Sequence, residues 1–249
     1  MLTESYFKHI GLKKTDTLSF NSLKNIHKHH LLTIPFENLD IIYNIPLSMK
    51  PSHIIKKIIN GKRGGICFET NSLLYSVLQD LGFDVSIISA KFWNDEKQRW
   101  NPDFSHLAIL VKIEEKRYLA DVGVGGGFLE PLLLKNGFEY SDMNGSYRMI
   151  EQNDSKFTLQ KFDKSWKDFL LLSTKPKELH EFEEQFMYYQ TSNETMFTKN
   201  KFVNLMTTDG RITLSDNQLK VTKNHAITIT TIENSEEWQT LYNDIFLQN

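Results

Sequence analysis

A single cysteine, Cys67, organises the candidate chemistry of this chain. It follows two glycines in residues 63–71 (RGGICFETN), where a tight turn leads into an apolar stretch of helical period. A thiol at the start of a helix lies near free backbone N–H groups and the positive end of the helix dipole, and both favour the thiolate. Because the thiolate is the nucleophilic form of cysteine, Cys67 is a candidate nucleophile.

A nucleophilic cysteine needs a base within hydrogen-bond reach and a third group that orients the base. His106 stands at the entrance of a predicted strand, and Asp121 stands at the end of the next strand. If these strands form a hairpin, the two side chains lie together at one end of a sheet. The carboxylate would then fix the imidazole tautomer, and the imidazolium would stabilise the thiolate of Cys67.

The pattern leaves structural alternatives open for each of these residues. A lone cysteine is often a small buried apolar side chain, His106 also suits the cap of a strand, and Asp121 before a glycine also suits a turn. Seven other histidines compete for the role of base. Among them, His27, His29 and His30 are expected at a solvated helix end.

The residues around Cys67 have predicted structural roles of their own. Gly64 and Gly65 allow a sharp turn into the helix and a close approach of the backbone to a substrate. Glu69 and Asn71 are expected to hold neighbouring loops by hydrogen bonds. Arg63 is expected to anchor a buried carboxylate rather than to contact substrate.

The hydrophobic period changes along the chain, and it predicts the helices and strands that must position these residues. Helical spacing predicts a helix over 18–27 with Asn21 or Ser22 as its cap, a second that ends at Asn60-Gly61, and a third that begins at Cys67. The third is expected to end with Gly82 as its C-terminal cap.

After Gly82 the period changes to that of strands. Six short strands are predicted at 85–90, 107–111, 118–122, 147–150, 157–159 and 169–172. Their close spacing indicates an antiparallel barrel or sandwich. A mixed tail is predicted to follow, with a helix at 177–189, strands at 202–207, 212–214, 219–221 and 226–231, a turn at 209–211, and a closing helix from Ser235.

The composition is that of an ordinary soluble globular protein, with 40% hydrophobic and 24% charged residues. The net charge of −2 gives no indication of a nucleic-acid or anionic-membrane partner. With one cysteine no internal disulfide forms, which is typical of a reducing compartment. The start of the sequence lacks a signal-peptide pattern, and no apolar run approaches the roughly 20 residues of a membrane span. We therefore expect a cytoplasmic protein without a metal.

Together these motifs resemble the arylamine N-acetyltransferase family. The resemblance rests on residues 63–71, 34–40 (IPFENLD), 118–126 (YLADVGVGG), 131–132 (PL) and 209–211 (DGR), and on His106 at the entrance of a strand. These segments occur in the order that the family has them and span most of the chain.

The resemblance implies an α+β fold with a cysteine-protease-like arrangement of the triad. It divides the chain into an N-terminal helical bundle (1–83) that carries the nucleophile, a central antiparallel β-barrel (84–175) that carries the histidine and the aspartate, and a C-terminal α/β lid (176–249). This order of domains agrees with the helices, strands and mixed tail that the hydrophobic periods predict.

The resemblance also implies a ping-pong reaction with acetyl-CoA as co-substrate. Cys67 would take the acetyl group, CoA would leave, and an arylamine, arylhydrazine or N-hydroxyarylamine would accept the acetyl group. His106 would activate Cys67 and manage the proton of the amine, with Asp121 as its orienting group. The backbone N–H of Phe68 is a candidate donor to the oxyanion.

Flat apolar acceptors call for an aromatic pocket, for which Phe36 and Phe197 are the candidates. Core packing is an equal alternative for Phe197. Gly125 and Gly126 are the candidates for the cofactor side, because a glycine run exposes backbone N–H groups to a phosphate or an oxyanion. A flexible loop is the alternative there. Lys199 and Lys201 also stand near the expected CoA cleft, where solvated surface charge is the simpler interpretation.

Two positions depart from the family pattern. His9 stands where the family usually has an arginine, which predicts a weaker charge contact with Glu37. Val124 stands at a position that is often aromatic, which predicts a wider pocket. Two other functions remain open: a Cys-His-Asp thiol hydrolase or transglutaminase-like enzyme, and a non-catalytic binder of aromatic ligands or CoA.

Overall fold

The computed structural model describes residues 2–247, and the first third of this range is mainly helical. Its helices are α1 (Leu2–His9), α2 (Phe20–Thr33), α3 (Leu39–Ile42), α4 (Pro51–Ile54), a π-helical segment (Ile55–Asn60) and α5 (Cys67–Leu81). One short strand, β1 (Phe36–Glu37), lies between α2 and α3. Helix α1 was not expected from the sequence, although its Tyr6 and Phe7 are buried in the core.

Helix boundaries follow from local capping groups. The cap of α2 is Ser19 and not the predicted Asn21 or Ser22, because Ser19 is extended and its side chain accepts a hydrogen bond from the Ser22 N–H at 3.2 Å. Helix α5 begins at Cys67 and is followed by Gly82 with φ +94°, as predicted. Only glycine adopts this left-handed conformation without strain.

Strands 2 to 10 form one antiparallel sheet that curls into a nearly closed barrel. They are β2 (Asp84–Asn94), β3 (Arg99–Trp100), β4 (His106–Ile113), β5 (Lys116–Ala120), β6 (Leu132–Leu133), β7 (Glu139–Asp142), β8 (Gly145–Asn153), β9 (Lys156–Asp163) and β10 (Ser165–Pro176). The order in space is β6-β5-β4-β2-β10-β9-β8-β7, with β3 paired to β2. The predicted α+β class and antiparallel barrel are confirmed.

The segment predicted as one helix at 177–189 has two parts. A 3-10 helix (Leu179–Phe182) leads into α6 (Glu183–Thr191). The helix starts later than predicted because the Lys177 N–H still donates to the carbonyl of Ile87 in the barrel, at 2.8 Å.

A second antiparallel sheet closes the fold. It consists of β11 (Phe202–Thr207), β12 (Gly210–Ser215), β13 (Gln218–Lys223) and β14 (Ala226–Thr231), with β1 added at the β11 edge. Helix α7 (Ser235–Phe246) buries Trp238, Tyr242 and Phe246 in the same cluster as Val203 and Leu214 of this sheet. The predicted closing helix is therefore present.

The hairpin of β4 and β5 carries the two predicted partners of the cysteine. In its register Ile109 lies opposite Ala120. His106 is the first residue of β4, and Asp121 follows the last residue of β5. Asp121 was predicted at the end of a strand over 118–122, but β5 ends at Ala120. Asp121 lies one residue beyond, because the side chain of His27, and not a neighbouring strand, pairs with its backbone N–H.

The described part of the chain has no helix that is both long and apolar enough to cross a membrane. The division into three domains stays a prediction. Strand β1 comes from the first third of the chain, yet it pairs with β11 of the last third, with Phe36 opposite Asn204. On its other side Phe36 forms a single parallel bridge to Gly65, next to the start of α5.

Candidate active site

Cys67 is the first residue of α5 and is 6% exposed. Ile66 before it is extended, so the chain turns sharply into the helix and the N–H of Phe68 has no carbonyl partner inside the helix. Gly123 packs directly on the cysteine: a Cβ at this glycine would lie 2.6 Å from the Cβ of Cys67. The start of α5 on one side and the backbone of Gly123 on the other therefore hold the nucleophile in place.

His106 and Asp121 meet beside Cys67, as predicted. Nε2 of His106 lies 2.7 Å from Oδ2 of Asp121, and both residues are at most 1% exposed. The imidazole also interacts with the side chain of Cys67, which helps to raise the pKa of His106. Since Nε2 faces Asp121, Nδ1 is the nitrogen left for the thiol. The ring of Phe92 packs edge-on to the imidazole at 4.8 Å and shields it from solvent.

The second carboxylate oxygen of Asp121 is held by Asn71 and Gly123. Oδ1 accepts hydrogen bonds from Nδ2 of Asn71 at 2.8 Å and from the Gly123 N–H at 3.0 Å. The Asn71 side chain also donates to the Leu107 carbonyl and accepts from the Val122 N–H. The role predicted for Asn71 is confirmed: four residues after Cys67, on the same face of α5, it joins both strands of the hairpin to the helix.

The charges of the site are strongly coupled. Burial alone would lower the pKa of His106, but Asp121 and Cys67 outweigh burial and raise it to about 10. Burial alone would raise the pKa of Asp121, but His106, Asn71 and the Gly123 N–H hold it below its ordinary value. The arrangement therefore favours an imidazolium paired with the Asp121 carboxylate.

A buried ionic cluster holds the turn that precedes Cys67. Arg63 donates to Oε1 of Glu37 from two of its nitrogens, at 2.7 and 3.0 Å, and to Asp40 at 3.0 Å. Lys57 bridges Asp40 at 3.0 Å and both oxygens of Glu69. Burial would lower the pKa of Lys57, but these carboxylates raise it instead. Arg63 thus anchors a buried carboxylate, as predicted.

Glu69 connects this cluster to the start of α5. Its Oε2 accepts the N–H of Ile66 at 3.2 Å, which caps the helix one residue before Cys67. His9, for which a weaker charge contact with Glu37 was predicted, is not part of the cluster. Arg63 is the cation that pairs with Glu37, while burial and the neighbouring Lys62 lower the pKa of His9.

Arg63 is expected to contribute strongly to stability, because Glu37 is fully buried. We expect Arg63→Ala to lower the free energy of unfolding by about 3 kcal/mol, since it leaves the Glu37 carboxylate buried without its guanidinium. Lys91→Ala is the control: it removes a pair with the 76% exposed Asp103 and is expected to cost less than about 1 kcal/mol. Urea unfolding measures both, and equal losses would contradict the assignment.

Comparison with known proteins gives one consistent result. A family model described as N-acetyltransferase matches residues 19–248. The arylamine N-acetyltransferase pineal gland isozyme NAT-10 of Gallus gallus is 31% identical, over 84% of this chain and 79% of its own length. The chain belongs to the arylamine N-acetyltransferase family.

Two solved structures of this family have the same fold. Arylamine N-acetyltransferase C of Bacillus anthracis matches with a TM-score of 0.90 at 26% identity and covers 98% of this chain and 97% of its own. An arylamine N-acetyltransferase of Bacillus cereus, described as having a unique Cys-His-Glu triad, matches with a TM-score of 0.89 at 26% identity and the same coverage. In this chain the third position is Asp121.

The glycine segment after Asp121 forms a tight turn in this arylamine N-acetyltransferase family member. The Gly127 N–H donates to the Val124 carbonyl at 3.0 Å, and Gly126 has φ +81°, the conformation that a type II turn requires at its third residue. The two predicted cofactor-side glycines face different neighbours. Gly125 is exposed and lies beside Phe36, whereas Gly126 is buried against the side chain of Arg211.

An aromatic cavity of about 550 Å³ opens beside the glycine turn. It is lined by Phe36, Asn38, Gly125, Met196, Phe197, Asn200, Lys201, Phe202, Ser215, Asp216, Asn217 and Gln218. The ring of Phe36 lies 6.1 Å from the rings of both Phe197 and Phe202. The structure therefore places the two predicted substrate-side residues in one cavity wall. Lys201 lines it too, with Nζ 4.5 Å from the Trp238 ring, while Lys199 is not among the lining residues.

Two further residues of the site were not assigned a role from the sequence. Asn38 donates to the carbonyls of Phe197 and Asn200 and accepts from the Phe202 N–H, each at 2.8 Å, so it holds the cavity wall. The sequence IPFEN, which contains Asn38, was a motif from which a role for this residue could have been predicted. The ring of Tyr189 on α6 packs edge-on against that of Phe197, with centroids 5.2 Å apart, and burial together with Cys67 raises the pKa of Tyr189. No sequence motif indicates a role for Tyr189.

Proposed function

We propose that this protein transfers an acetyl group from acetyl-CoA to an aromatic amine through an acetylated Cys67. The observation that carries the proposal is the buried arrangement in which Asp121 hydrogen-bonds to His106 and His106 interacts with Cys67. Family membership supports the choice of acetyl-CoA and arylamine as the substrate classes. An arylhydrazine or an N-hydroxyarylamine presents a similar nucleophilic nitrogen, so we include both in the proposal.

In the first half-reaction the thiolate of Cys67 attacks the thioester carbonyl of acetyl-CoA. The negative charge moves to the carbonyl oxygen, and the N–H of Phe68 is the candidate donor to it. The bond to the CoA sulfur then breaks, and His106 gives its proton to the departing thiolate. One thioester replaces another, so the acetyl group stays reactive.

In the second half-reaction the amine nitrogen attacks the acetyl carbonyl on Cys67. His106 takes the proton that the nitrogen loses, and the Cys67 thiolate leaves as the amide forms. Asp121 stabilises the imidazolium and keeps Nδ1 directed at the sulfur in both halves. The aromatic cavity at Phe36, Phe197 and Phe202 fits the flat ring of the acceptor.

The glycine turn and Lys201 are our candidates for contacts with CoA. Gly125 is exposed at the cavity wall, where its backbone is open to a ligand. Lys201 lies on the same wall and is a candidate cation for a phosphate. Because the reaction needs Cys67 reduced, a reducing compartment such as the cytoplasm is the proposed location.

Intact-protein mass after incubation with acetyl-CoA alone tests the proposal. We expect one acetyl group on the wild-type protein, its removal when an arylamine is added, and no acetyl group on Cys67→Ala. Cys67→Ala removes one small side chain that makes few polar contacts. Circular dichroism checks that this variant is folded. An adduct that persists in Cys67→Ala would refute the proposal. Rapid loss of the acetyl group to water without an amine would indicate the thiol hydrolase instead.

A further inference from the structure

His27 lies at the centre of the interface between α2 and the barrel. It has no exposed surface, and its ring is parallel to that of Phe128, with centroids 6.0 Å apart and planes 5° apart. A solvated position was predicted for His27 and His30, but both are fully buried. A buried histidine needs partners for both ring nitrogens.

Both ring nitrogens of His27 bind backbone groups of the segment that contains the glycine turn. Nδ1 lies 3.0 Å from the carbonyl of Leu129, and Nε2 lies 3.1 Å from the backbone nitrogen of Asp121. These partners are 102 and 94 residues away in sequence. His27 therefore holds the first and last residues of 121–129 from a separate element.

The two partners fix the tautomer. A carbonyl only accepts, so Nδ1 carries the proton; a backbone N–H only donates, so Nε2 carries the lone pair. In this tautomer no proton lies between Nε2 and the Asp121 carbonyl oxygen, although the two atoms are 3.2 Å apart. An imidazolium would set an N–H of His27 against the N–H of Asp121. The contact thus requires a neutral ring.

We propose that His27 is a positioning residue, which fixes the main chain of Asp121 so that its carboxylate meets His106. This inference rests on the proposed function. Asp121 has left the β4–β5 ladder, so strand pairing does not hold its N–H. Asn71 and Gly123 hold the carboxylate, and His27 is the group that holds the backbone N–H from which that side chain extends.

The electrostatic surroundings of His27 agree with a neutral ring. Asp121 and Glu130 face it from the barrel side and favour protonation, while His30 lies one turn further along α2. Burial exceeds the effect of the two acids and lowers the pKa of His27. The tautomer that the geometry requires is therefore the one present at neutral pH.

The test compares three variants of His27 in the full-length protein. His27→Gln places an amide near Nε2, where its oxygen can accept the Asp121 N–H. His27→Asn places an amide near Nδ1 and keeps only the bond to Leu129. His27→Leu removes both bonds at similar volume. The readout is the rate of Cys67 alkylation by iodoacetamide between pH 5 and 9, taken as about the range in which thiols and histidines titrate.

We expect the leucine and asparagine variants to lose about tenfold in alkylation rate near pH 6, the size of one lost buried hydrogen bond. The glutamine variant is expected to keep most of the wild-type rate. His30→Leu is the matched control, because His30 is equally buried on α2 but bonds to the Tyr6 hydroxyl at 2.9 Å, away from the site. It is expected to lower the melting temperature and leave the pH profile unchanged.

Two results would overturn the positioning role. One is a wild-type profile in His27→Asn and His27→Leu; the other is equal loss in the glutamine and asparagine variants. If His27→Leu does not fold, the glutamine–asparagine pair alone decides. Alkylation needs no acetyl-CoA, so failure of the proposed function shows separately, as a wild-type protein that alkylates but never carries an acetyl group.

Discussion

Asp121→Asn is expected to lower kcat/KM for acetyl transfer by about 10⁴-fold while the fold is retained. The donors from Asn71 and Gly123 hold the amide oxygen of the new side chain at the Oδ1 position. The amide nitrogen then faces Nε2 of His106, where the carboxylate accepted a hydrogen bond. Nε2 must now carry the lone pair, so the proton moves to Nδ1 and no negative charge stabilises the imidazolium.

The pH dependence of Cys67 alkylation measures this change directly. In the wild type the pKa of His106 is raised to about 10, above the ordinary value of about 6.5. The protonated histidine therefore stabilises the fold fully below about pH 6.5, and this contribution disappears as the pH rises through about 10. We expect wild-type alkylation to persist well below pH 8.5, where a free thiol is mostly protonated.

The control for Asp121→Asn is Asp121→Glu, which keeps the negative charge. A Cys-His-Glu triad is described for the related Bacillus cereus protein, so a glutamate is compatible with this fold. We expect Asp121→Glu to retain far more activity than Asp121→Asn and to keep alkylation at low pH. If asparagine and glutamate are equally harmful, geometry rather than charge at this position controls the reaction.

Residue patterns predict the elements of this site better than their long-range partners. Helix α5 begins and ends as predicted, because Glu69 and Gly82 act within a few residues of its two ends. The hairpin of β4 and β5 also follows from two short apolar runs that are close together in sequence. Local patterns alone, however, left the roles of His106 and Asp121 open.

Partners that are distant in sequence account for the differences from prediction. The end of β5 depends on His27, 94 residues earlier, which binds the Asp121 N–H. His27 and His30 look solvated by composition, but each is buried because it bonds to a specific group, Asp121 and Leu129 for one and Tyr6 for the other. Periodicity along one element contains no information about such partners.

The ionic cluster shows the same limit. The sequence indicates that Arg63 anchors a carboxylate, and the structure identifies Glu37 and Asp40 as its partners. Nothing in the pattern singles out Lys57, which lies in the π-helical segment and joins Asp40 to Glu69. Its role depends on how three separate segments pack around the turn before Cys67.

Gly123→Ala is expected to lower kcat/KM by at least about 100-fold, the size of effect that a displacement of roughly 1 Å has on reacting groups. The new Cβ would lie 2.6 Å from the Cβ of Cys67 and 2.7 Å from Nδ2 of Asn71. The clash is with the nucleophile on α5 and with the amide that holds Asp121, so relief requires α5 or the hairpin to move. We also expect a loss of about 2 kcal/mol in the free energy of unfolding.

Gly125→Ala is the matched control in the same glycine segment. Its Cβ would lie 3.5 Å from Phe202 and 3.7 Å from Phe36, which are ordinary contacts, and its φ is not in the left-handed region. We expect it to keep the wild-type stability and rate of Cys67 alkylation, while Gly123→Ala slows alkylation. Urea unfolding and iodoacetamide kinetics measure the two effects. Equal behaviour of the two variants would mean that close packing on Cys67 does not position the nucleophile.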